Sequence, residues 1–281
     1  MIDVKIKLLA LDMDGTVLLD DHKSISERTR QAIYRAAAEN ILVVPSSGRI
    51  YSVLPEAVTA LPCVNYAVTS NGAVVYHLKT QKVVYSNYLS RVQANTLLKN
   101  LPAGLWAEIW YHGKIYLEAE KWQQRSAYAL NTFHVNVLEE IGCPVNRFAD
   151  FLAGMQDEIE KINLPLIPPE QKQNVWKVLS ACPDFSLVDT GCGIEVMRSG
   201  TSKLDGVRGL CHYFHQKKIN ISMENVLALG DSENDMEILQ QCGLGVAMGN
   251  AVPAVQKIAK AVTLANTADG AALAIEKYAL S

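Results

Sequence analysis

The run Leu8-Leu9-Ala10-Leu11 is apolar at every position and stops abruptly at Asp12-Met13-Asp14-Gly15-Thr16. A strand without apolar–polar alternation belongs in a sheet covered on both faces. Two carboxylates at i and i+2 share a face of an extended chain, so both can reach one pocket beyond the strand's carboxyl end. Glycine at 15 allows a sharp turn there, and ligands of open α/β sheets bind at the carboxyl ends of strands. Carboxylates that close repel each other, which favours a hard cation such as Mg²⁺ beside them. Taken alone, Asp-x-Asp reads equally as an acidic turn after a strand. Recurrence of the pattern decides between the two.

The same punctuation returns three times. Ile41-Leu42-Val43-Val44 ends at Ser46-Ser47-Gly48-Arg49, Tyr66-Ala67-Val68-Thr69 at Ser70-Asn71-Gly72, and Val226-Leu227-Ala228-Leu229 at Gly230-Asp231-Ser232-Glu233-Asn234-Asp235. Helical signals lie between these runs. Ser24-Ile25-Ser26-Glu27 offers an N-cap before Ala32, Ile33, Ala36 and Ala37. A second helix is expected over about 50–60, and a third after Thr201-Ser202-Lys203, with Val207, Leu210, Cys211 and Phe214 on one face. Strands at 245–248 and 261–263 and a last helix from about Asp269 complete an α/β, doubly wound parallel-sheet core.

Between about 81 and 189 the rhythm differs. Trp106–Tyr111 and Lys114–Glu118 flank His112-Gly113 as an antiparallel hairpin. Helices are expected near 120–131 and 169–181, separated by a proline-rich stretch and followed by a strand at Phe185–Val188. This segment reads as an inserted α+β domain, which leaves 1–80 and 190–281 as the discontinuous core. Gly193–Met197 is expected to resume the parallel pattern.

The 281-residue chain has a net charge of -3, which provides no electrostatic footprint for nucleic acid or an anionic membrane. It contains no apolar run of about 18 residues, the length a membrane helix needs. The acidic start Met1–Lys5 enters a strand directly, unlike a signal peptide. The scattered cysteines read as reduced thiols. The expectation is a cytoplasmic protein acting on a small molecule, with no nucleic-acid or membrane partner. Its oligomeric state is left open, a monomer being compatible.

In this order and spacing, Asp12-Met-Asp14-Gly-Thr16, Ser47-Gly-Arg49, Asn71-Gly72-Ala73, Lys203 and Gly230-Asp231-Ser-Glu-Asn234-Asp235 resemble the motifs of the haloacid dehalogenase (HAD) superfamily. The inserted segment and Met248-Gly249-Asn250-Ala251 are similar to its Cof-type phosphatases. The resemblance implies a HAD-like core with an inserted cap, hydrolysing small phosphorylated metabolites such as sugar phosphates or phosphorylated cofactors. It implies Asp12 as nucleophile forming an aspartyl-phosphate and Asp14 as acid/base. Mg²⁺ would be held by Asp12, Asp231, Asp235 and the Asp14 backbone carbonyl, with Ser47, Gly48, Arg49, Asn71, Lys203 and Asn234 around the phosphate.

The residues read alone keep other options open. Ser47 can cap a helix, Lys203 can be an ordinary helix-start lysine, Asp231–Asp235 an acidic cap, and Arg49 can pair with an acid. The family usually has glycine directly after the lysine, whereas here Leu204-Asp205-Gly206 follows. A phosphomutase or phosphotransferase on the same chemistry, and a non-catalytic phosphate or metal sensor, are the rival functions. Turnover of a simple aryl phosphate separates the three.

Overall fold

The computed structural model describes residues 5–128, 130–156 and 158–280. Residues 1–4, expected to lead into the first strand, lie outside that range, as does residue 129 of the expected 120–131 helix. In chain order the strands are β1 (Leu8–Leu11), β2 (Leu42–Pro45), β3 (Tyr66–Thr69), β4 (Val74–His77), β5 (Lys82–Ser86), β6 (Glu108–Tyr111), β7 (Lys114–Glu118), β8 (Gly142–Val145), β9 (Lys161–Leu164), β10 (Phe185–Asp189), β11 (Ile194–Arg198), β12 (Val226–Gly230), β13 (Leu244–Ala247) and β14 (Ala261–Val262). The chain divides into two compact units, residues 1–49, 54–86 and 202–281 in one and 50–53 with 87–201 in the other.

The first unit is built on a parallel sheet of order β14-β13-β12-β1-β2. At its centre Leu8, Leu9, Ala10 and Leu11 are at most 2 % exposed, which explains their unbroken apolarity. Each such leucine contributes about 1.5–3 kcal/mol by burial. Leu11 lies opposite Pro45 on β2 and Leu229 on β12. That register brings β1, β2 and β12 to the same edge, where they hand over to Asp12, Ser46 and Asp231.

Tyr66–Thr69, expected as a third parallel strand, touches that sheet through one parallel bridge, Ser46 to Val68. Its main partner is β4, in an antiparallel sheet of order β3-β4-β5. The helix expected over 50–60 is a 3₁₀ turn at Tyr51–Val53 followed by a short helix at Glu56–Thr59. Pro55 between them has no N–H with which to continue a helix.

The second unit carries a sheet of order β10-β11-β9-β6-β7-β8, antiparallel except between β7 and β8. Here the expectation for Gly193–Met197 needs correction. β11 pairs antiparallel with β10 and β9, so it belongs to the inserted sheet instead of resuming the core. The sequence held the signal: Ile194 and Val196 join an apolar cluster with Ile109 and Ile162, while Glu195 interrupts them. That alternation contrasts with the uniformly apolar core strands. The expected helix near 120–131 stops at Gln123, and a 3₁₀ turn follows at Arg125–Ala127. No helix among the described residues is long and apolar enough to cross a membrane.

The two tryptophans of the hairpin segment are core, while Tyr111 and Tyr116 are half-buried. Trp106 and Trp110 are buried, and both indole N–H groups donate to Glu108, at 2.8 and 2.9 Å. Asn163 Nδ2 (2.9 Å) and His134 Nε2 (2.6 Å) donate to the same fully buried carboxylate. Burial alone would push the Glu108 carboxyl up, but the facing His134 charge and these donors hold it below its ordinary value. Burial would likewise lower His134, and the Glu108 charge reverses that and raises it. Replacing Glu108 by Ala strands four donors and should cost about 3–5 kcal/mol in denaturant unfolding.

The pH dependence has a definite sign. The Glu108 contribution is complete above the ordinary glutamate value of 4.5 and is lost as pH falls through its depressed value. The His134 contribution is complete below 6.5 and is lost as pH rises through its raised value. Melting curves of wild type and His134→Gln should therefore differ most between those two values and converge as pH rises through the raised His134 value. A gap that stayed undiminished as pH rose through the raised His134 value would contradict the pairing.

Candidate active site

Asp12 is the first residue past β1, and its N–H continues the ladder by donating to Leu229 O at 3.0 Å. Its backbone is still extended, at φ -63° and ψ 157°, and the turn Met13–Val17 follows, with Gly15 at φ +72°. A Cβ on Gly15 would lie 2.5 Å from Asp231 Oδ2, so glycine serves both the turn and the close approach of the second acid. Asp231 is also tied to this loop by Thr16 Oγ1, which donates to Asp231 Oδ1 at 3.3 Å.

Asp235 is reached through the short turn after β12. Its Oδ2 accepts from the N–H groups of Asp231 (3.1 Å) and Ser232 (3.2 Å), while a Cβ at Gly230 would fall 2.3 Å from its Cγ. Asp12, Asp231 and Asp235 thus each bring a carboxylate oxygen within 4.8 Å of the others. Lys203 closes the group: Nζ donates to Asp12 Oδ1 at 2.6 Å and to Asp235 Oδ1 at 2.7 Å, with the side chain 1 % exposed.

One ammonium does not balance three crowded carboxylates. Burial first, then the charge of Asp235, raises Asp12 well above the ordinary carboxylate value, and the same two causes raise Asp231. Burial disfavours the Lys203 charge, but Asp12 and Asp235 more than restore it and hold the ammonium protonated. An all-carboxylate donor set carrying excess negative charge fits a hard divalent cation. It offers no soft ligand that would select another metal class.

Lys203 reaches this position although leucine follows it. Gly206 takes the close-contact role: a Cβ there would meet Val68 Cγ1 at 2.6 Å and Gly72 Cα at 2.9 Å. Gly72 has φ +95°, and a Cβ on it would lie 1.9 Å from Ser202 O. The two glycines let the first turn of helix Lys203–Gln216 press against the Asn71-Gly72 turn. Asp205 is occupied with the cap, its N–H donating to Ser202 Oγ (3.2 Å) and its Oδ2 accepting from that hydroxyl (2.6 Å).

Ser47 Oγ is buried and accepts from the Arg49 N–H at 3.1 Å, which leaves its own hydrogen to donate elsewhere. Asn71, at φ 54°, accepts at Oδ1 from Asn234 Nδ2 at 3.0 Å. A Cβ on Gly48 would approach that same Oδ1 to 3.0 Å. Ser47, Gly48, Asn71 and Asn234 therefore adjoin one another on the same side of the sheet.

Asp14 stands apart. Its carboxylate lies outside the acidic trio and forms a two-pronged pair with Arg49, Nε to Oδ2 at 2.8 Å and Nη2 to Oδ1 at 2.6 Å. Burial would raise Asp14, but the Arg49 and His22 contacts lower it below its ordinary value. Of the two options open for Arg49, the structure shows pairing with an acid. Residue-by-residue reading missed His22, whose Nδ1 meets Asp14 Oδ1 at 2.9 Å. It also missed what Asn250 does: Nδ2 donates to Gly15 O at 2.8 Å, steadying the turn that carries Asp14. Nothing in the local pattern around His22 marked it, because the contact depends on a loop folding back.

The sequence matches the haloacid dehalogenase-like hydrolase family over residues 9–275. Over 282 residues it is 28 % identical to a 5-amino-6-(5-phospho-D-ribitylamino)uracil phosphatase of Bacillus subtilis (strain 168), covering 99 % of this chain and 98 % of that protein. A protein of the same description from Escherichia coli (strain K12) is 30 % identical, with 98 % of this chain and 96 % of that protein covered. Among solved structures, a haloacid dehalogenase-like hydrolase from B. subtilis superposes with a TM-score of 0.79 at 26 % identity, covering 97 % of this chain and all of the other.

The glycine contact that seats Lys203 can be tested by comparison. Gly104 also has positive φ, +86°, but a Cβ there meets nothing within 4 Å. Gly104→Ala should cost about 1–2 kcal/mol in urea unfolding, the backbone penalty alone. Gly72→Ala should cost that plus about 1–3 kcal/mol of overlap with Ser202. Equal losses would mean the close approach carries no weight.

Proposed function

This chain belongs to the haloacid dehalogenase-like hydrolase family, and from that membership and the geometry above we infer that it is a phosphatase of small phosphorylated metabolites. The observation that carries the reading is the convergence of Asp12, Asp231, Asp235 and Lys203 at the carboxyl edge of one parallel sheet. Phosphoryl transfer needs a nucleophile, a cation site, a fixed positive charge and an acid/base group around one phosphorus. The acids and lysine at this edge, with Asp14 beside them, are the groups proposed for these tasks.

Asp12 is the proposed nucleophile. One of its oxygens bonds to phosphorus as the bond from phosphorus to the leaving oxygen breaks, and Asp14 gives that oxygen a proton. Asp14 then takes a proton from water, whose oxygen displaces Asp12 and releases inorganic phosphate. Lys203 holds Asp12 and places positive charge beside the transferring group. The Ser47 hydroxyl has a hydrogen free to donate to a phosphoryl oxygen, and Gly48, Asn71 and Asn234 shape the same side. Arg49 acts through Asp14. Asp12, Asp231 and Asp235 would hold Mg²⁺, with the Asp14 backbone carbonyl as a further ligand, and the bound ion would offset repulsion between an anionic nucleophile and an anionic phosphate.

The inserted domain, whose sheet takes in β11 and so runs past the expected end at 189, is assigned the choice of leaving group. The relatives named as 5-amino-6-(5-phospho-D-ribitylamino)uracil phosphatases put that phosphorylated polyol first among substrates to try. A cytoplasmic setting belongs to the same reading and is supported by the six free cysteines.

Purified protein should release phosphate from an aryl phosphate, lose that activity on chelation and regain it with added Mg²⁺. Asp12→Asn should abolish turnover, since an amide cannot form the acyl-phosphate. Asp14→Asn should retain metal binding while losing about 10²–10⁴-fold in turnover of an alkyl phosphate. Undiminished activity in Asp12→Asn would assign the chemistry to another group.

A further inference from the structure

His22 lies ten residues beyond Asp12 in a loop that the expected chemistry leaves without a task. The loop is nonetheless built. Leu19 N–H donates to Ser24 O at 2.9 Å, and His22 N–H donates to Leu19 O at 2.9 Å. The Asp21 carboxylate accepts from the N–H groups of Lys23 (3.0 Å) and Ser24 (2.9 Å). Within this frame His22 takes φ +56°, a left-handed conformation that few non-glycine residues adopt, histidine being among the more frequent. Such backbone persists where the surroundings enforce it, often at functional positions.

What the conformation achieves is a double contact. The His22 ring Nδ1 meets Asp14 Oδ1 at 2.9 Å, and the His22 carbonyl accepts from Arg49 Nη2 at 3.1 Å. One residue thereby holds both members of the Arg49–Asp14 pair. An ionised carboxylate presents four lone-pair directions. Arg49 occupies one on each Asp14 oxygen and His22 a second on Oδ1. Among the described residues, the remaining direction is on Oδ2.

We propose that His22 is a positioning residue for Asp14: its ring and carbonyl fix the Arg49–Asp14 pair so that Oδ2 stays available to exchange a proton with the leaving-group oxygen. The proposal rests on the reading of Asp14 as acid/base. Arg49 alone would set the plane of the carboxylate, but the guanidinium is itself on a flexible stem. The His22 carbonyl anchors that stem through the backbone of a closed turn. Without the ring, Oδ1 regains an open lone pair and can compete with Oδ2 for the proton.

The test uses the dependence on leaving group. A nitrophenolate departs with little need of a proton, whereas an alkoxide cannot leave without one. kcat and KM are measured on p-nitrophenyl phosphate and on a simple alkyl phosphate for wild type, Asp14→Asn, His22→Gly and His22→Asn, with the exposed His212→Ala as control. Glycine keeps the left-handed backbone and the carbonyl contact and removes only the ring. Asparagine tolerates the same backbone and restores a donor.

His22→Gly should lower kcat on the alkyl ester about 10–100-fold, as expected for a misplaced catalytic group. KM should stay within about twofold, and the loss on the aryl ester should be several-fold smaller. His22→Asn should regain most of the difference, and His212→Ala should leave the ratio of the two substrates unchanged. Equal losses on both esters in His22→Gly, or a change confined to KM, would overturn the positioning role while leaving the Asp14 assignment standing. Equal losses on both esters in Asp14→Asn would overturn that assignment, and this proposal with it.

Discussion

A single ammonium, Lys203 Nζ, sits between two carboxylates that would otherwise repel, 2.6 Å from Asp12 and 2.7 Å from Asp235. Much of the first unit is arranged to permit it. A lysine that is 1 % exposed loses its hydration and must recover that energy from charges placed at hydrogen-bond distance. The two acids come from the ends of adjacent parallel strands, and the lysine comes from the first turn of a helix that crosses to them. Gly72 and Gly206 make that crossing possible by removing the side chains that would hold the helix away. Polar requirement and steric permission are thus met by different residues, far apart in the chain.

Asp12 and Asp14 are two residues apart and have opposite environments. Asp12 is buried among acids and pushed up, whereas Asp14 is partly exposed, paired with Arg49 and pushed down. A divalent cation among Asp12, Asp231 and Asp235 would offset the repulsion that raises Asp12 and favour its ionised form. The two acids part because Asp12 still continues the ladder of β1, whereas Asp14 already lies within the following turn, Met13–Val17, where it meets Arg49 and His22.

The inserted unit solves a different problem. Its six-stranded sheet encloses Glu108, Lys161 and Asn163 at 5 % exposure or less. Lys161 pairs with Glu195 and lies 3.9 Å over the Trp110 ring, while Glu108 collects two indoles, an amide and an imidazole. A buried network with every member partnered rigidifies a sheet and specifies its register, at a desolvation cost that apolar packing would avoid. The tryptophans of the hairpin serve this network with their N–H groups and the core with their rings.

Sequence alone determined the parallel core, the order of its elements and most of the site, because uniformly apolar strands and small polar residues at their ends are local features. The acids at 12, 231 and 235 could be named before any contact was known. Strand partners could not, since Tyr66–Thr69 and Ile194–Arg198 are short apolar runs whose direction is set by neighbours distant in sequence. The alternation in β11 was legible, but only against the uniform apolarity of β1, β2 and β12. Tertiary structure alone decided that Gly206 lies at the close contact with Val68 and Gly72, that Arg49 pairs with Asp14, and that His22 joins them. Each of these depends on where a loop or helix end comes to rest, and hydrogen bonds of 3 Å reach are settled by packing that no single segment encodes.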